Sequence, residues 1–145
     1  DQACKVAQQI IDDDTFIGND LFYVGMHLLS GNDPNVGLDY FLGKVWIEKA
    51  AKKGHVLAQK KLATMYIKGE GVKQNIDEAI YWLEMAAKNG DQDGNLLLGK
   101  IFHEGLIVKK DLKKSKHYYG IMCDAGEQLG CDLYRTVNEE LLINN

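Results

Sequence analysis

The stretch His55–Gly90, HVLAQKKLATMYIKGEGVKQNIDEAIYWLEMAAKNG, runs without a gap into Asp91–Gly126, DQDGNLLLGKIFHEGLIVKKDLKKSKHYYGIMCDAG. The two segments are 36 residues each and lie in register. Leu62, Tyr66, Gly69, Gly71, Val72, Trp82, Ala86 and Gly90 fall on Leu98, Phe102, Gly105, Ile107, Val108, Tyr118, Met122 and Gly126. A third copy, Ile17–Gly54, carries Val24, Leu28, Gly31, Trp46, Ala50 and Gly54 at matching places, with two extra residues around 32–36. A period in the thirties is the mark of a solenoid built from stacked helix pairs. Each pair then packs mainly on its neighbours and offers a surface rather than a closed pocket.

Working outward, the second copy predicts helix A over about Val56–Lys68, a glycine loop, then helix B to about Lys88. Leu62 and Tyr66 share an apolar stripe with Ala58, Ala63 and Met65 nearby. Gly69 and Gly71 break the helix. Asn75 followed by Glu78 resembles a capping box, and Gly90 is the expected left-handed stop. Asp111 caps helix B of the next copy, and Asp33-Pro34 opens helix B of the first. One leading helix, Ala3–Asp12, and one closing helix, Glu127–Leu142, bring the count to about eight, with 143–145 fraying. The organisation expected is a single solenoid domain over 1–145: a leading segment 1–16, repeats at 17–54, 55–90 and 91–126, and a closing segment 127–145. No period-two apolar pattern predicts a sheet.

Charge narrows the function. The formal net charge is −4, which disfavours nucleic acid as a partner, because phosphate binding wants a basic stripe. No apolar run approaches the roughly 20 residues that span a bilayer, so no membrane insertion is expected. No signal peptide is visible, and the chain starts at Asp1 without methionine, as a processed protein or an excerpt of a longer array would. Four histidines, His27, His55, His103 and His117, stand at no metal-ligand spacing from each other or from a cysteine. No metal, cofactor or catalytic residue is expected. Asp12–Asp14 reads as a solvated helix end. The pairs Lys109-Lys110 and Lys113-Lys114 read as an outer face in water. Trp46, Trp82 and Tyr118 share one repeat position and are expected to be core aromatics between helices.

Three cysteines are present. Cys123 and Cys131 lie eight apart across the turn at Gly126, where two antiparallel helices can bring them to disulfide range. Two buried thiols would fit the same positions. Cys4 has no local partner.

Ala58, Leu62, Ala63, Tyr66, Gly69, Gly71, Val72, Ala79, Trp82, Ala86, Ala87 and Gly90 together resemble the Sel1-like repeat, a relative of the tetratricopeptide repeat. The third copy matches through Gly94, Leu98, Gly99, Phe102, Gly105, Tyr118 and Gly126, and departs at Ile107, Ser115, Met122 and Cys123. The resemblance implies an all-α, α/α superhelical solenoid of right-handed sense and a non-catalytic role in protein–protein interaction, as adaptor, scaffold or regulatory subunit. It implies that helix A lines a concave face, where Phe22, Met26, Leu29, Lys60, Thr64, Lys68, Leu96, Lys100 and His103 are the positions left by the core. That groove would be apolar at one end and basic at the other and would take a peptide with hydrophobic anchors and acidic residues. Phe22 and Leu96 packing on adjacent helices is the competing expectation.

Cys123–Cys131 also resembles the Cys-x7-Cys bridge of a cysteine-rich bacterial subset. That implies a disulfide, a periplasmic or secreted setting, and an immunity-type binder; free thiols would point to the cytoplasm. The same subset implies weak β-lactam binding or hydrolysis as the alternative function. Self-association through the ends of the array is a further expectation.

Overall fold

The structure is a computed structural model and describes residues 18–30 and 40–144. The expected leading helix, Cys4, the Asp12–Asp14 cluster and the Asp33-Pro34 cap lie outside the described residues. Those described form seven helices and no strand: α1 (Gly18–Ser30), α2 (Tyr40–Lys52), α3 (Val56–Lys68), α4 (Ile76–Lys88), α5 (Gln92–Glu104), α6 (Leu112–Asp124) and α7 (Gln128–Ile143). The last helix continues one residue past the expected end.

The repeat is written in its stop signals. After α2, α4 and α6 the glycine takes φ near +90° (Gly54, Gly90, Gly126), a conformation that a side chain opposes. At each, the glycine N–H returns to the carbonyl three residues back, and the next N–H reaches five back: His55 to Ala50, Asp91 to Ala86, Glu127 to Met122, all at 3.0–3.1 Å. This paired bonding satisfies the last carbonyls of a helix. The loops from helix A to helix B also close alike. Asn75 N–H donates to Tyr66 C=O at 3.0 Å, and Asp111 N–H to Phe102 C=O at 2.9 Å. Asn75 and Asp111 then accept from Glu78 and Lys114 N–H as helix caps. Inside those loops the copies diverge. Gly71 has positive φ, whereas no non-glycine residue among those described does. Ile107, at Gly71's place, therefore sits in a different local path and is 38% exposed.

The chain divides into two compact units, Asp1–Trp82 and Leu83–Asn145. In the first, α1 packs on α2 and α2 on α3, around Leu21, Trp46, Ile47, Ala58, Leu62 and Met65. Gly25 and Gly43 let α1 and α2 touch. A Cβ on Gly25 would stand 2.8 Å from Ile47 Cδ1 and 3.2 Å from Gly43 O, and one on Gly43 3.2 Å from Gly25 O. The matching positions of the next repeat are Ala63 and Ala79, both fully buried. Val24, at the place of Leu62, departs from expectation: it is 41% exposed, while Leu62 is fully buried. Gln59 is buried and donates from Nε2 to Ala51 C=O at 3.0 Å, joining α3 to the end of α2.

His55 caps α3. Its Nδ1 accepts from Ala58 N–H at 3.1 Å, so the ring must keep Nδ1 unprotonated, and Phe22 stacks on it with ring centroids 4.7 Å apart. Burial holds the imidazole below its ordinary value of 6.5, and the positive end of the helix opposes a cation in the same sense. The unfolded chain thus binds the proton first as pH falls. Stability is full above about 6.5, drops between that value and the lowered one, and levels off below it. Thermal melts across this range should show the decline in the natural protein. His55→Asp, which copies Asp91, should remove that step while keeping a cap acceptor; an unchanged step in the variant would assign it to another group.

In the second unit α5 packs on α6 and α6 on α7. Tyr119, Met122 and Val137 form its core, with Leu96, Leu112, Leu133, Tyr134 and Leu141 partly buried against them. The tight crossing recurs here as Gly99 under Ser115. Ser115 departs from the expected alanine, and its hydroxyl donates to Gly99 C=O at 2.8 Å, so the buried polar group is satisfied. Cys123 and Cys131 are disulfide-bonded, with Cα atoms 4.5 Å apart. They occupy the positions that Ala51 and Gln59 hold two repeats earlier, so a covalent bond stands where a hydrogen bond joins α2 to α3. α7 differs from the helices it repeats. Where α5 has Gly99 and Phe102 turned to its helix B, α7 has Arg135 and Asn138. Arg135 Nη2 pairs with Asp132 Oδ1 at 2.9 Å in solvent.

Candidate functional site

The helix-A positions expected to face a partner fall into two groups. In the first unit Phe22 is in the core at 9% exposure, against His55; this overturns its reading as a position the core leaves free. Met26 and Leu29 are half-buried, as are Lys60 and Thr64, and Lys68 is exposed. The Thr64 hydroxyl donates to Lys60 C=O at 3.0 Å, within its own helix. In the second unit Leu96 packs on the Tyr119 cluster, again against its reading as free. Lys100 is exposed. His103 Nε2 meets Glu140 Oε1 at 2.8 Å and lies edge-on to Tyr119. The solvent stripe of α5 runs instead through Asp93, Leu97, Lys100 and Glu104, at spacings of four, three and four. Leu97 is 41% exposed, and Leu57, on the corresponding stripe of α3, is 51% exposed.

The second unit also holds two cavities on its helix-B side. One, of about 360 Å³, is lined by Glu84, Ala87 and Lys88 from the last turns of α4, Asn95 and Leu98 from α5, and His117, Tyr118 and Ile121 from α6. Tyr118 is half-buried here, not a core aromatic like Trp46 (2% exposed) and Trp82 (6%). Its hydroxyl donates to Glu84 Oε1 at 2.7 Å. Burial, and then the Glu84 carboxylate, push it well above the usual phenol range, so it remains a donor. The other cavity, of about 400 Å³, is lined by Lys113, Lys116, His117, Gly120, Ile121 and Asp124 of α6 and Tyr134 of α7. Sequence reasoning missed both, although the i, i+3, i+4 spacing of Lys113, Lys116, His117, Gly120, Ile121 and Asp124 marks one face of a helix.

Among the described residues no group of His, Cys, Asp or Glu is placed to hold a metal, and no helix is long and apolar enough to cross a membrane. A model of the Sel1 repeat matches 20–55, 56–91 and 92–127. The chain belongs to the Sel1 repeat family. The Sel1 fold is typically a non-catalytic scaffold that binds other proteins. Two solved structures share this fold. One is c5321, a protective antigen present in uropathogenic Escherichia coli strains displaying an SLR fold, at 30% identity and a TM-score of 0.65 over 79% of this chain. The other is a Sel1 repeat protein from Oxalobacter formigenes, at 25% identity and a TM-score of 0.63 over 78% of this chain. The Sel1 chain described here spans 24% of the first and 45% of the second. No curated protein matches it. The fold is thus all-α, an α/α solenoid of Sel1 repeats, as the period predicts.

Proposed function

We propose that this Sel1 repeat chain is a non-catalytic adaptor or regulatory binder that recognises another protein through the solvent stripes of its helix A elements. The supporting observation is that α3 and α5 each keep a large aliphatic side chain near half exposure on that stripe, Leu57 and Leu97, close to lysines, Lys61 in one and Lys100 in the other. Apolar anchors give affinity, and the charges beside them steer and select the partner. The Cys123–Cys131 bond supports a periplasmic or secreted setting.

The test compares proteins captured by the natural chain with those captured by Lys61→Glu/Lys100→Glu, using Lys73→Glu as an exposed control. Affinity for the captured partner should fall several-fold in the double variant and stay level in the control, with melts little changed, because charges at the surface contribute only about 0–1 kcal/mol to folding. Full binding by the double variant would overturn the helix-A reading.

A further inference from the structure

We propose that the outward face of α6, from Lys113 to Asp124, is a separate docking site for an extended acidic peptide segment with apolar side chains. His117 and Ile121 are one turn apart on α6, and each lines both cavities described above. They form a shared wall, so the two cavities are adjoining compartments of one trough. Its apolar surfaces are Ala87, the Tyr134 ring and Ile121, which is 39% exposed. Compartments of this kind hold aliphatic or aromatic anchors.

The charge around the trough sets the sign of the partner. Lys88, Lys113 and Lys116 line the two compartments against the carboxylates of Glu84 and Asp124, and the adjoining residues 109–116 carry five lysines against one carboxylate, Asp111, a local charge of +4 in a chain whose total is −4. Asp111 is engaged as the cap of α6. The carboxylate nearest the first compartment, Glu84, holds the Tyr118 hydroxyl. Two of the ammonium groups are already positioned: Lys114 Nζ lies 5.1 Å from the centre of the Phe102 ring, and Lys116 Nζ 5.3 Å from that of Tyr134. Cations rested on aromatic faces lose less freedom when they meet a carboxylate. A nucleic acid would want a longer basic track and less acid elsewhere, whereas compartments alternating with lysines suit side chains alternating with carboxylates along an extended strand.

The experiment selects displayed random peptides on the intact chain and measures the winners by fluorescence anisotropy. Enriched sequences should place Asp or Glu beside Leu, Ile, Phe or Trp, and raised salt should weaken them. Lys113→Glu/Lys116→Glu should weaken them by about tenfold or more, and Ile121→Ser should weaken them as well. Lys61→Glu/Lys100→Glu should leave them unchanged, which separates this site from the helix-A reading. Melts of each variant control for folding, and Lys113→Gln/Lys116→Gln gives the same reading if the charge reversal melts early. No enrichment, winners without acidic residues, or equal affinity for the charge-reversed chain would overturn the proposal. So would tighter binding of single-stranded DNA or of phosphatidylglycerol vesicles than of the selected peptides.

Discussion

Trp82→Ala should lower stability by about 3–5 kcal/mol, the loss typical of a buried aromatic reduced to a methyl. Trp82 is 6% exposed, and its counterpart Trp46 is 2% exposed; both sit on the inner stripe of a helix B. Tyr81 is the internal control. It is 51% exposed and meets Trp82 edge-on with ring centroids 5.1 Å apart. Tyr81→Ala should cost only about 0.5–1.5 kcal/mol, the scale of one aromatic pair. Urea titrations followed by far-ultraviolet circular dichroism would compare the two. A Trp82→Ala protein as stable as Tyr81→Ala would take Trp82 out of the core and break the repeat alignment on which the fold rests.

Cys131→Ser should cost about 2–3 kcal/mol, because the bridge to Cys123 closes a loop of under a dozen residues and its main effect is on the unfolded chain. The folded contacts across that junction do not depend on it. Glu127 N–H still reaches Met122 C=O at 3.0 Å, and α6 still packs on α7. The variant should therefore fold and melt earlier, with the same shift when the natural protein is reduced. Thiol counting on denatured, unreduced protein from its own compartment should find one free thiol of the three cysteines. Three free thiols there would remove the argument for an oxidising setting.

The fold was legible because its signals are local and repeat. Gly54, Gly90 and Gly126 end helices whatever surrounds them, Asn75 and Asp111 start them, and Leu62 and Leu98 fall on the same inner stripe. The candidate surface was less legible. A helix turns by about 100° per residue, so a stripe read one position out of phase exchanges exposed for half-buried. Leu96 and Leu97 differ by that one step: Leu96 packs on the Tyr119 cluster and Leu97 faces solvent. For Phe22 the spacing leaves a free position and a packed one both open, because nothing in it shows that His55, 33 residues away, lies under its ring. The trough on α6 depends on four helices at once. Lys113 and Lys116 read as ordinary solvated charge until Tyr134 of the next helix is placed beside them. Ser115 looked like a defect in the pattern, and only the carbonyl of Gly99 beneath it explains it.

The Arg135–Asp132 pair on α7 bears on how arrays of this kind grow by tandem duplication. A further helix B laid against α7 would bring its small-residue face, which is Gly43 in α2 and Ser115 in α6, down onto a guanidinium instead of a bare glycine carbonyl. A graft of a copied unit that is to keep the close small-residue approach would have to rewrite Arg135 as glycine. The glycine junctions at 54, 90 and 126 are the permissive splice points. They share one backbone geometry, so a whole unit can be inserted between two of them without disturbing the helix on either side.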